Sequence, residues 1–485
     1  MRRYETPEGW TAQAYRFALD PTPAQERAFR SHAGGARKAH NTMLALVKAV
    51  LDQRTAERTY GVAESELTPT LNWSLAGLRK EWNRRKTVAA PWWGENSKEA
   101  YNTGLDALAR GLDSWSMSRK GMRAGRPVGF PRFKSARARR SVRFTTGVIR
   151  VEPDRHHVRL PRVGRIKTHE STRKLRRRVE AGTARVLSAT LAQDSAGRWH
   201  VAFQTIVRRG TEARCRAEDA APVVGVDVGV KADSLLVVAT PDGRELGRVP
   251  APKPLTATQA RLRALQRCAA RQTGPYDHTT KTRRQPSRRW AKTQRRIGRT
   301  HARAAAVRRD VLHKATTDLA MRHQVIAVET LNVAGMRRAG GARKRGLNRA
   351  LADAALAEIR RMLGYKTRWY GSTLVEADQY FPSSKMCSGC GRRKPNLTLA
   401  DRGYSCDDCG LVIDRDLNAA INLARLGGTG TGSGPAASVS AGDGRGAGRE
   451  AATAEVVNAA GCEASTRHNP TVGQAGTAAP KGAVA

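Results

Sequence analysis

Apolar and polar residues alternate like a strand over "AQAYRFALD" (12–20). A helix follows in "PTPAQERAF" (21–29): Thr22 can cap it, Pro23 suits its first position, and Gln25 completes a capping box. Helical periodicity continues to about Lys120 and carries Trp73, Trp82, Trp92, Trp93 and Trp115. Tryptophans can stack on bases, but most of these are expected to pack a helical core. From "GRPVGFPRFKSARARRSVRFTTGVIRV" (125–151) the texture changes to glycine, proline and alternating β-formers. "ARVLSATLAQDSAGRWHVAFQTIV" then predicts a hairpin turning at "DSAG". A β-rich module of residues 1–20 and 121–215 therefore encloses a helical insertion over 21–120, long enough for a small domain.

The second half reads as α/β. "VVGVDVGVKADSLLVVAT" predicts two short apolar strands around Gly229. Two Arg-rich helices follow, separated by the loop "TGPYDHTTKTRRQPS". On the second, Ile297, Ala304 and Val311 recur at seven residues, with Val307, Ala315 and Leu319 beside them, giving one apolar stripe on a cationic helix. "QVIAVET" and "STLVEAD" predict strands, with one helix, "LADAALAEIRRMLGYKTRWYG", between them. Such alternation indicates an α/β domain, over 216–386 and 410–426. From Gly427 to Ala485 the chain is Gly, Ala, Ser and Thr with almost no aromatics, and a disordered tail is expected there. No internal repeat is found.

Composition adds one decisive fact. Lys and Arg number 87 against 42 Asp and Glu, a formal net charge of +45. The excess recurs along most of the chain, and a polyanion such as nucleic acid is its natural counterpart. The Arg-rich segment around 288–314, with Arg295, Arg296 and Arg299, and "KSARARRSVRF" are expected to contact phosphate backbone. No run of about 18 apolar residues offers a membrane span. "MRRYETPEGW" lacks the apolar core of a signal peptide, so a reducing, cytoplasmic and nucleoid-associated location is expected. Seven cysteines, an odd count with no regular framework, argue against disulfides.

Four of those cysteines form two CxxC pairs, Cys387 and Cys390, then Cys406 and Cys409 after fifteen intervening residues. Two such knuckles can close a tetrahedral four-thiolate zinc site. Thioredoxin-like redox use needs only one CxxC. A zinc ribbon over 387–409 is expected.

Three acids then stand out. Asp227 lies inside an apolar strand, where a lone charge is costly to bury. Glu329 ends another apolar strand, and Asp416 opens the helix "NAAINLAR". Each alone has a structural explanation: Asp414 or Asp416 could cap that helix, and Glu329 could pair with an arginine. A cap needs one acid, and Asp414 is better placed for it. Together, Asp227, Glu329 and Asp416 can converge on divalent cations. Magnesium accepts a few carboxylates and keeps sites for water and phosphate, and two such ions can clamp an in-line phosphodiester hydrolysis.

"GVDVGVKADSLLVVAT", "VIAVETLNVAGM", "FPSSKMCSGCG" and "CGLVIDRDLNAAINLAR" resemble, in that order, the RuvC-type nuclease domain of the TnpB family, transposon-encoded proteins related to CRISPR type V effectors. "RRDVLHKATTDLA" and "GFPRFKSARARRSVRFTT" match the same family, and the resemblance spans about residues 10–425. It implies an RNase H-like nuclease domain with a zinc-binding insert before the last acid, and RNA-guided DNA cleavage. It places the catalytic acids at Asp227, Glu329 and Asp416, with Asp414 supporting, and the zinc ligands at Cys387, Cys390, Cys406 and Cys409. The N-terminal β-module, barrel-like, and its helical insertion become wedge and recognition parts holding guide RNA and target DNA. Two magnesium ions, one structural zinc and a guide RNA are the implied cofactors. A CRISPR effector proper shares this fold, and a non-cleaving RNA-guided repressor is the binding-only alternative, against which the intact acids speak. A DDE transposase orders its acids Asp, Asp, Glu; here glutamate is second.

Overall fold

The computed structural model describes residues 5–209, 221–274, 276–279, 282–283, 286–337, 344–397 and 401–429. In the N-terminal half, strand β1 (Trp10–Asp20) leads into helix α1 (Pro23–Thr59), followed by α2 (Leu75–Ala89) and α3 (Lys98–Arg119). Strands β2 (Ser141–Phe144), β3 (Arg150–Val151), β4 (His157–Leu160) and β5 (Gly164–Thr168) come next, then α4 (Arg173–Glu180), β6 (Ala184–Gln193) and β7 (Trp199–Arg208). These strands form one antiparallel sheet in the order β2-β6-β7-β1-β5-β4-β3.

The capping box at the start of α1 is present: Thr22 Oγ1 accepts from Gln25 N–H at 3.3 Å and Gln25 Oε1 accepts from Thr22 N–H at 3.0 Å. The expected hairpin is β6–β7, turning over Asp194–Arg198. Tyr15, Phe17 and Leu19 of β1 enter the core on the sheet, where Phe29 of α1 meets Trp199 edge-on. A second core joins α1, α2 and α3 around Met43, Leu78, Tyr101 and Leu105. Trp82 is buried there, stacked on Tyr101, and Trp73 and Trp115 are partly buried against each other. Trp92 and Trp93 remain exposed.

The second half contains β8 (Val223–Val228), β9 (Leu236–Ala239), β10 (Glu245–Val249), α5 (Pro254–Ala257), α6 (Gln259–Arg271), the short pair β11 (Tyr276–Asp277) and β12 (Thr282–Arg283), and α7 (Arg288–Arg322). It continues with β13 (Val325–Val328), α8 (Val333–Arg337), α9 (Arg345–Ala354), α10 (Leu356–Tyr370), β14 (Thr373–Glu376), β15 (Gly403–Ser405), β16 (Val412–Asp414) and α11 (Arg415–Thr429). Five strands order as β10-β9-β8-β13-β14; β8, β13 and β14 are parallel, and β9 is antiparallel to both of its neighbours, β8 and β10. Alternation along the central strands gives the sheet two apolar faces. Val224, Val226, Ile326 and Val328 pack with Leu312 and Leu319 of α7 and Ile359 and Met362 of α10. On the opposite face, α11 covers Val237, Ala239 and Ala327 with Ala420, Ile421 and Leu423.

Three expectations need correcting. The helix expected from Leu351 to Gly371 is two helices, broken at Ala355, whose φ of 52° is left-handed. Its neighbour Asp353 is buried and accepts hydrogen bonds from Leu255 N–H and Thr256 N–H at 3.0 Å each, so the end of α9 is anchored to α5 before α10 sets off. The stripe on α7 is also different. Ala304, Leu312, Thr316, Leu319 and Ala320 are buried, whereas Val307 is 43% exposed. The helix changes partners along its length, from α6, where Thr293 donates to Gln272 Oε1 at 2.8 Å, to the sheet and α10. Finally, α11 runs past Leu426 to Thr429. Gly427 is buried against the sheet, where a Cβ would lie 3.1 Å from Ala327 Cβ. Residues 430–485 of the expected tail lie outside the described residues.

Candidate active site and nucleic-acid cleft

Val226 on β8 and Val328 on β13 are register partners, so Asp227 and Glu329 each sit one residue further along adjacent parallel strands, at their C-terminal ends. Both belong to the set of alternate positions that includes Gly225 and Ala327, the face covered by α11. Asp416 lies in the first turn of α11. Helix and sheet come together so closely because position 225 has no side chain: a Cβ there would lie 2.0 Å from Ala420 O and 2.3 Å from Ala424 N. The sheet thus presents two acids and the helix start adds the third.

The three carboxylates feel one another. The Asp227 carboxyl is held well above the usual carboxylate range by burial first, then by repulsion from Glu329 and Asp416, with Arg415 and Lys231 opposing. Glu329 is also raised, chiefly by burial, while a hydrogen bond from Ser383 Oγ to its Oε1 opposes the shift. Asp416 Oδ2 accepts from Lys231 Nζ at 2.5 Å and from Ser234 Oγ at 3.3 Å. Asp414 does different work. Its Oδ1 accepts from the N–H groups of Asp416 and Leu417, both at 3.1 Å, and from Arg248 at 3.2 Å, capping α11.

The four cysteine sulfurs lie within 4.8 Å of one another, with Cys387–Cys409 and Cys390–Cys406 separations of 3.6 Å. A tetrahedral site with metal–sulfur bonds of about 2.3 Å needs sulfurs about 3.8 Å apart. Each knuckle closes on a glycine of positive φ, Gly391 at 79° and Gly410 at 70°, whose N–H returns to the carbonyl of Cys387 or Cys406. Backbone N–H groups of Cys409 and Asp408 lower the Cys406 thiol to about 7, while Cys390 and Cys409, crowded by the other sulfurs, are raised. The ribbon extends beyond Cys409: β15 pairs with β16, which runs straight into α11.

Sequence reasoning missed how the ribbon is fastened. Asn418 and Asn422, both buried, project from one face of α11. Asn418 donates to Met386 O at 2.7 Å and accepts from Ser388 N–H at 2.8 Å; Asn422 donates to Ser383 O at 2.8 Å and Met386 O at 2.7 Å. The available signal was a pair of asparagines at i, i+4 within an apolar helical run, which demands buried partners.

The two basic segments meet elsewhere. Arg137, Arg139 and Arg140 face Trp290 and Arg295 of α7 across a cleft of about 1010 Å³, which Arg16 and Arg30 also line. Six arginines there oppose two acids, Glu26 and Asp194. His200 stays neutral in its wall, its pKa lowered to about 4 by burial and by Arg16. The α7 backbone touches the β6–β7 turn at Gly298, where a Cβ would lie 2.1 Å from Ser195 O. Arg296 and Arg299 are exposed on α7 and are not part of the cleft lining.

Residues 207–340, with Asp227 and Glu329, match the family profile described as "Probable transposase"; residues 357–423, with the four cysteines and Asp416, match "Cas12f1-like, TNB domain". Over 434 residues, 88% of either chain, the protein is 41% identical to "Putative RNA-guided DNA endonuclease Rv2885c" of Mycobacterium tuberculosis H37Rv. The chain belongs to the TnpB family. A more distant relative, "Putative RNA-guided DNA endonuclease InsQ" of Escherichia coli K12, is 27% identical over 425 residues, 86% of this chain and 92% of that one. Among solved structures, a Cas12f1–sgRNA–target DNA complex aligns with 86% of this chain and 99% of its own at 12% identity and a TM-score of 0.43. Residues 11–55 match a profile described as "Helix-turn-helix domain". In this TnpB-family chain that segment is β1 followed by one uninterrupted helix, α1. No helix among the described residues is long and apolar enough to cross a membrane.

Proposed function

We propose that this protein is an RNA-guided DNA endonuclease that hydrolyses phosphodiester bonds at Asp227, Glu329 and Asp416 in an RNase H-like domain. The observation that carries the reading is the convergence of these acids, two from adjacent parallel strand ends and one from the start of α11. The names of its relatives support it. Burial first and then repulsion from Glu329 and Asp416 raise Asp227, a cation offsets both, and hard carboxylate oxygens suit magnesium, held by Asp227, Glu329 and Asp416. Bound there, two such ions supply charge neutralisation for the attacking water and the leaving oxygen.

The chain's own part is placement. The strands hold Asp227 and Glu329, Ser383 orients Glu329, and the Asp414 cap keeps the first turn of α11 formed beneath Asp416. The arginine cleft holds phosphate backbone, and pairing between guide RNA and target DNA supplies sequence choice. The seven-stranded sheet serves as the barrel-like wedge and residues 21–120 as the recognition insertion; the five-stranded sheet with α7, α10 and α11 forms the RuvC-like nuclease domain.

The full-length protein should copurify with a discrete RNA, and sequencing it followed by exchange of its guide end should redirect cleavage. RNA-free protein that cuts a fixed DNA sequence overturns the guided reading. The cleft also fixes a salt test. Replacing Arg137, Arg139 and Arg295 by Ala should flatten the dependence of log K on log salt by about 0.7–0.9 for each phosphate no longer neutralised, without changing the target. Replacing Arg296 and Arg299, outside the cleft lining, should change it less.

The sulfur spacing supports one structural zinc held by Cys387, Cys390, Cys406 and Cys409. Metal analysis should find about one zinc per chain. Cys390→Ser and Cys406→Ser should each lose it and lower the melting midpoint, because folding of such a site is coupled to its metal. Full zinc retention in both variants removes the assignment. Cleavage should fall too, since Asn418 and Asn422 tie the ribbon to the helix that bears Asp416.

A further inference from the structure

The loop between β8 and β9 brings two further side chains to the acids. It is pinched at its base, where Gly229 N–H donates to Leu235 O at 3.0 Å, and a Cβ on Gly229 would lie 2.9 Å from Ser234 O. From this loop Lys231 Nζ reaches Asp416 Oδ2 at 2.5 Å, and the buried Ser234 donates to the same oxygen at 3.3 Å. Lys231 is about one-fifth exposed and Asp416 less, so the pair is poorly screened by solvent. The neighbouring cation, Arg415, acts on Asp227 and Glu329.

An ammonium in contact with a carboxylate oxygen repels a divalent cation on that oxygen and competes with it for the oxygen's electron density. A lysine here therefore opposes cation loading unless its departure belongs to the working cycle. Lysine has the means to leave, a compact charge on a flexible stem. Its departure needs another anion, and the phosphate of a strand laid across the acids is one.

We propose that Lys231 is a positioning residue that holds Asp416 before a strand arrives, competes with the divalent cation for Asp416 Oδ2, and is drawn off by an incoming phosphate, so that cation loading depends on strand binding. The inference rests on the nuclease reading above and adds a safeguard to it: the free protein holds its catalytic cation weakly.

The test measures Mn²⁺ binding to the full-length, nucleic-acid-free protein, following free Mn²⁺ by electron paramagnetic resonance. Lys231→Met and Lys231→Gln should each bind Mn²⁺ about tenfold more tightly than wild type, since one contacting charge shifts a carboxylate's cation preference by one or more decades. Lys231→Arg, which keeps the charge, should not gain. A merely structural lysine predicts the opposite sign, weaker binding as Asp416 loses its anchor. Adding a phosphorothioate-blocked oligonucleotide should tighten Mn²⁺ binding by wild type but not by Lys231→Met, with Asp227→Ala plus oligonucleotide as the blank. Equal or weaker Mn²⁺ binding by both Met and Gln variants overturns the proposal, while loss of binding in Asp227→Ala leaves the nuclease reading standing. If Asp227→Ala binds Mn²⁺ as wild type does, the nuclease reading falls and this inference with it.

Discussion

Alanine at Asp227, Glu329 or Asp416 should lower magnesium-dependent cleavage by at least about a thousandfold, equivalent to about 4 kcal/mol of transition-state stabilisation. Guided DNA binding should survive in all three variants. The separation follows from where the charges lie. The acids sit together at the ends of β8 and β13 and the start of α11, whereas the arginine cleft is built from β1, α1, the Arg137–Arg140 segment, the β6–β7 hairpin and the first turns of α7. Asp227→Ala removes a carboxylate that burial and repulsion both disfavour and should be no less stable than wild type, whereas Asp416→Ala strands Lys231 without its partner and should lose stability. Cleavage assayed beside electrophoretic binding at the same magnesium concentration reads both quantities. Asp414→Ala is the informative neighbour. It removes the α11 cap and the ion pair with Arg248, which costs about 1 kcal/mol in stability, and should retain most of the cleavage. Normal cutting by Asp416→Ala with none by Asp414→Ala reverses the assignment of the two aspartates.

Gly225→Val should disable the protein without touching an acid. A Cβ alone at 225 would meet Ala420 O at 2.0 Å and Ala424 N at 2.3 Å, both backbone atoms of α11 that cannot swing aside. The helix must lift from the sheet, and overpacking of this kind costs about 3 kcal/mol. Asp416 rides on that helix, and so do Asn418 and Asn422, which hold the ribbon. A displacement of about 1 Å between catalytic groups lowers rates about a hundredfold. The expected pattern is a lowered melting midpoint, a large loss of cleavage, and zinc retained, because the four cysteines contact one another and not Gly225. Gly225→Ala should show the same pattern in weaker form. Wild-type cleavage by Gly225→Val would show that the close helix–sheet approach is not needed to place Asp416.

Features written in neighbouring residues were legible from the sequence alone. Alternation named β1, Thr22 with Gln25 named the start of α1, and the "DSAG" turn named the β6–β7 hairpin, each readable within a few residues. The two CxxC pairs announced a four-sulfur cluster because knuckle geometry is local, and the sulfurs do meet. Acids at the ends of apolar runs were conspicuous because burying a charge there is costly. Partnership between distant segments was not legible. Lys231 meets Asp416 from 185 residues away, and the ribbon hangs on Asn418 and Asn422 from 30 to 39 residues away. The bend at Ala355 comes from the grip of Asp353 on α5, and the buried face of α7 shifts because its neighbours change along its length. Gly225 shows the limit most plainly: in the sequence it is one glycine among 45, and only the backbone of α11 lying over it makes it indispensable. Periodicity and capping record what a residue needs from its own turn or strand. Which surface satisfies that need is settled when helix and sheet pack, and there the three acids acquire their arrangement and their cation, Lys231, its place.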